Sequence, residues 1–152
     1  MNINFDIWRN TRSIYSKYLQ SYSLEQLNKI PTGFSNNLMW NIGHVIVVQQ
    51  RLVYDLSGLK MNISEDLFLK FKPGTRPENA EPIETLELFK ELLISPIDQT
   101  ISDFESGNFN TYSPLTTSKG FHLANTTDAI IYNNYHEAMH LGTMISISKF
   151  LS

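Results

Sequence analysis

Apolar positions recur at three- and four-residue spacing in four stretches of the chain. From about residue 2 to 20, Ile7, Trp8, Thr11, Ile14, Tyr15, Tyr18 and Leu19 fall on one stripe, the pattern of a helix with one face in a core. A connector containing SLEQL and Pro31 leads into FSNNLMWNIGHVIVVQQRLVYDLSG, where Leu38, Ile42, Val45, Ile46, Gln49, Leu52, Val53 and Leu56 form a second stripe. Ser35 or Asn36 can cap its start, and Gly58 suits a left-handed stop. Residues 59–82, rich in Lys, Pro and Gly, read as a long loop with one short helix at SEDLFL. The third helix spans about 83–105, with Leu86, Phe89, Leu93, Ile97, Ile101 and Phe104 in register, and Pro96 predicts a kink or break in it. A second polar loop, SGNFNTYSPLTTSKGFHLANTT, precedes a last helix that Thr126 or Thr127 can cap and that runs to about residue 151. No segment shows a convincing strand pattern. Four helices with two long connections indicate an all-α four-helix bundle.

The 152 residues suffice for one domain with a real core, spanning 1–152, and are too few for two ordinary ones. Twelve Lys and Arg stand against 15 Asp and Glu, a formal charge of −3 with no basic block, which argues against nucleic acid as a partner. There is no Cys, so disulfides, thiolate metal sites and Cys nucleophiles are excluded. Any transition metal must be held by nitrogen or oxygen. No window resembles a membrane span, and MNINFDIWRNTRSIYSKYLQ reads as neither a signal nor a transit sequence, so a cytoplasmic protein is expected.

Against that background the run NNYHEAMHLGTM stands out, because it places His136 and His140 one turn apart in a helix that is otherwise largely apolar. They lie about 40° apart around the helix and about 6 Å apart along it, a spacing at which two imidazoles can reach one ion. Ala129, Tyr132, Met139, Thr143, Ile147 and Phe150 share their arc, so both rings are expected to point to the core. Each buried ring needs partners for two nitrogens, and metal ligation is one way to supply them. Thr143, Tyr132 and neighbouring backbone carbonyls are the other. His44 is the candidate third ligand, on the polar flank of the second helix beside Asn37, Asn41, Val48 and Asp55. Nothing in the sequence directs His122.

Two blocks, NLMWNIGHVIVVQQRLVYDLSG with its W-x-x-x-H setting and NNYHEAMHLGTMISISKFL with H-x-x-x-H-x-G, resemble the DinB-like (DinB/YfiT) superfamily of small four-helix-bundle metalloenzymes. Matched residue by residue, the resemblance implies that His44, His136 and His140 are metal ligands. It also implies a divalent ion, commonly zinc or nickel, and frequent homodimers. Some similar proteins are S-transferases using a low-molecular-weight thiol such as bacillithiol, mycothiol or glutathione, and others are metal-dependent hydrolases.

Three neutral imidazoles would leave an ion its charge and an open position, where water or a cosubstrate thiol is activated toward a small electrophilic substrate. The general base is not identifiable. Glu137 lies about 100° around the helix from His136 and reads as a surface or interface carboxylate. Asn41 reads as a surface amide, and Trp8, Trp40 and the tyrosines as core. The competing function is a non-catalytic bundle, stress-related and binding or interacting, whose metal ties the second helix to the fourth. A fourth protein ligand would favour that role, and His122 is the only spare His to provide it.

Overall fold

A computed structural model describes residues 3–151, in which four long helices and two short ones follow one another: α1 (Ile3–Ser21), α2 (Leu24–Asn28), α3 (Leu38–Val53), α4 (Glu65–Phe71), α5 (Ile83–Glu105) and α6 (Thr126–Ser148). Residue 2, where the first helix was expected to begin, lies outside the described residues. The fold is the expected all-α bundle. Its long helices pack in the cyclic order α1, α6, α3, α5, so α1 and α3 sit diagonally opposite, and α6 lies between them. None of the described helices is long and apolar enough to cross a membrane.

Side-chain capping sets the helix starts. Asn37, rather than Ser35 or Asn36, begins α3: its Oδ1 accepts from the Trp40 backbone N–H at 2.7 Å. Asn125, rather than Thr126 or Thr127, begins α6, accepting from the Asp128 N–H, while the Asp128 carboxylate accepts from the Ala124 N–H. Gly58 does close the segment that follows α3, in the left-handed conformation (φ 72°). At Pro96 α5 runs on without a break, contrary to one of the two expected outcomes.

A small sheet accompanies the helices. Leu115–Thr116 (β1) and His122–Leu123 (β2) pair antiparallel, Leu115 opposite Leu123 and Thr116 opposite His122. Two residues per strand are too few to display an alternation.

The buried faces are broader than one stripe. Every residue of α3 from Leu38 to Val53 is buried except Arg51, because helices cover it on several sides and α4 lies across its first turns. Gly43 allows that approach: a Cβ there would lie 2.6 Å from Phe71 Cδ1 and 2.7 Å from Phe89 Cζ, closer than carbon atoms can come. In α1 the buried line is Phe5, Trp8, Arg12, Tyr15 and Leu19, and Ile7 and Ile14 of the expected stripe are exposed. Phe150, placed on the core arc from its spacing, lies beyond α6 and is exposed.

Candidate metal centre

His44 on α3 faces His136 and His140 on α6 across the interface between these two helices. The ring centroids form a triangle: 5.2 Å from His44 to His136, 4.7 Å from His44 to His140 and 4.6 Å between the two α6 rings. One nitrogen from each ring lies within 4.8 Å of the others, so the group can hold a metal ion. His122 is not among them; it sits exposed on β2, where its Nδ1 is 3.2 Å from Thr116 Oγ1.

The surroundings fix the rings. His44 Nδ1 is 2.7 Å from the Phe71 carbonyl, which can only accept, so Nδ1 carries the proton and Nε2 keeps its lone pair in the neutral ring. The Trp40 ring stacks on it at 4.6 Å. His140 Nδ1 is 2.8 Å from Asn41 Oδ1, and the Asn41 amide donates to the Asn37 carbonyl and to Asn36 Oδ1. That network sets the amide so that its oxygen accepts from His140. Asn41 is therefore a fully buried ring-orienting residue, and its reading as a surface amide is corrected. The sequence did hold a signal for it: from Leu38 to Gln50 the chain has no charged residue, as expected of a helix buried all round.

His136 differs from the other two, because its Nδ1 is buried with no hydrogen-bond partner. Burial pushes His136 down to about 2, helped by repulsion from His140, His44 and Arg12, and pushes His140 down to about 4, helped by His44. His44 is lowered as well, by burial, with the Phe71 carbonyl opposing. All three imidazoles are neutral at physiological pH, the form that ligates metals.

Behind His136 lies a buried ion pair absent from the sequence reading. Glu137 has no exposed surface and accepts from Arg12 Nε at 2.9 Å, Arg12 Nη2 at 2.8 Å, Trp8 Nε1 at 3.0 Å and Asn133 Nδ2 at 2.8 Å. It is a core carboxylate joining α6 to α1, not a surface one. Arg12 also donates to the Val45 carbonyl, bringing α3 into the same contact. With its oxygens occupied by four donors, Glu137 is no candidate general base.

The three rings lie at one wall of a cleft of about 380 Å³. Val48 and Leu52 of α3, Tyr132 and Met139 of α6 and Leu115 of β1 supply apolar surface, and residues 116–119, from β1 into the turn between the strands, line it as well. A model of the DinB superfamily matches residues 7–144.

The chain belongs to that superfamily. The DinB match runs from α1 into α6 and contains all three histidines, so the helices that carry the cluster are those the superfamily shares. No curated protein matches the chain.

Proposed function

We propose that this DinB-superfamily protein is a metal-dependent enzyme in which His44, His136 and His140 hold one divalent ion, zinc or nickel, and in which the cleft binds a small electrophilic substrate for thiol S-transfer or hydrolysis. The observation that carries this reading is the convergence of three neutral imidazoles on a cleft with no fourth His or carboxylate among the described residues joining the group. A structural site of tetrahedral type would need that fourth ligand. The donor set fits an ion on two counts: His44 and His140 each commit Nδ1 to an oxygen and keep Nε2 free, and the unpartnered Nδ1 of His136 is a polar atom whose burial otherwise costs about 1 to 3 kcal/mol. Nitrogen-only donation suits zinc or nickel.

When bound, such an ion lowers the pKa of a water or thiol in its open position, so that the nucleophile comes from solvent or from a low-molecular-weight thiol. The residues of the chain do the rest. Phe71 and Asn41 hold two rings in one tautomer and direction, Trp40 fixes the plane of His44, and the apolar walls keep bulk water from the substrate.

Elemental analysis of purified protein beside the His136→Ala variant, with the thermal midpoint recorded before and after chelation, tests the reading. About one equivalent of metal, lost in the variant and on chelation with the fold retained, is the expected result. Failure to take up zinc or nickel would overturn it, and a collapse of stability on chelation would instead favour a metal that merely ties α3 to α6.

A further inference from the structure

We infer that the cleft takes a carboxylate-bearing small molecule, with the carboxylate at Arg51 and the reacting end at the three histidines. This inference rests on the reading above that the reaction centre lies at the histidine cluster. Arg51 follows His44 by seven residues, two turns along the same face of α3, which sets them about 10 Å apart along the helix. Both line the same cleft, and Arg51 is the one residue of α3 that is half-buried rather than buried.

The charge around the cleft points to an anion. The chain as a whole is acidic, at −3, yet the residues lining the cleft include Arg51 and Lys119 and no Asp or Glu. Among the described residues Arg9, Arg12, Lys70 and Lys90 are in ion pairs, and Arg51 is one of the eight cations that are not, even with Asp55 one turn further along. Nor does the nearby Tyr112 neutralise it: burial pushes that phenol up to about 12 and keeps it protonated. An Arg that lines a cleft and makes no ion pair is suited to a planar carboxylate. Lys119 also lines the cleft, from the exposed turn closed by the Gly120 N–H to the Thr117 carbonyl at 2.9 Å, where Thr117 and Ser118 line it as well. Between the cations and the histidines the walls are Val48, Leu52, Leu115 and Met139, so the body of the ligand should be apolar.

The chemistry suits either a carboxylate-bearing thiol or a carboxylate-bearing electrophile. Mercaptohexanoate and its neutral analogue mercaptohexanol, titrated into cobalt(II)-loaded protein and followed by the thiolate-to-cobalt absorption band, test it. The acid should bind about tenfold tighter than the alcohol at low salt. That preference should shrink with added salt, fall below about twofold in Arg51→Met, weaken in Lys119→Gln on the exposed turn, and persist in the control Arg9→Gln. If Arg51→Met does not fold, the salt dependence and Lys119→Gln carry the same comparison. Hexanoate added with mercaptoethanol distinguishes the two sources: simultaneous binding assigns the carboxylate to the electrophile, and mutual displacement assigns it to the thiol. Equal binding of acid and alcohol to the wild type would overturn the inference while leaving the metal site intact. Should no cobalt be taken up, chemical shifts induced in the same protein by hexanoate but not hexanol, and lost in Arg51→Met, would still support it, and their absence would overturn it.

Discussion

Asn41 and Glu137 occupy opposite ends of what a single side chain can do beside the histidines. Asn41 accepts from His140 and donates to its own helix start, so removing its side chain frees one ring without emptying the core. Asn41→Ala should lower metal affinity by about 10- to 100-fold while the fold persists, a difference that competition with a coloured chelator measures. Glu137 is paired with Arg12 where neither has more than a trace of exposed surface. Glu137→Ala leaves a buried guanidinium uncompensated and should cost about 3 to 5 kcal/mol in denaturant unfolding. A metal-affinity loss larger than the stability loss in that variant would mean that Glu137 acts on His136 directly. Neither role was legible in the spacing, because helical phase alone gives a direction and not the neighbour met there.

Among the elements, α3 departs furthest from the usual surface helix. Its second stripe, read from Leu38 to Leu56, is real, but α4 covers the polar flank as well and so buries His44 with its acceptor, the Phe71 carbonyl. Gly43 permits that cover. Gly43→Ala gains up to about 1 kcal/mol in helix propensity but drives a methyl into Phe71 and Phe89, an overpacking that costs about 1 to 3 kcal/mol. The expected result is a lower thermal midpoint together with weaker metal binding, since the ring that must move belongs to the residue whose carbonyl holds His44. A midpoint drop with unchanged affinity would show that α4 can shift without disturbing the ring. In α1 and α6 the buried line is rotated from the sequence stripe by the Arg12–Glu137 pair, which puts charged residues where apolar periodicity leaves none.

For the whole molecule, the three neutral histidines link stability to pH. In the unfolded chain each protonates near its ordinary value of 6.5, whereas folded His140 does so only near 4, folded His136 near 2, and folded His44 below its ordinary value. The unfolded state therefore binds more protons in this window, and stability falls as pH drops below about 6.5. Each histidine contributes a slope of about 1.4 kcal/mol per pH unit until its folded-state value is reached. Denaturant midpoints of metal-free protein between neutral pH and about pH 5 should fall accordingly, and the His140→Gln variant should show a shallower slope; equal slopes would mean that the cluster opens to water before it titrates. The bundle itself, the four helix spans and the pairing of two histidines at one helical turn follow from the sequence alone, because apolar periodicity is a local property that burial in any bundle must satisfy. Which helix lies across which, that Asn41 and Phe71 orient the rings, that Glu137 turns inward to Arg12, and that Arg51 shares a cleft with His44 were decided only by tertiary packing, because each depends on contact between side chains or backbone groups far apart in the chain.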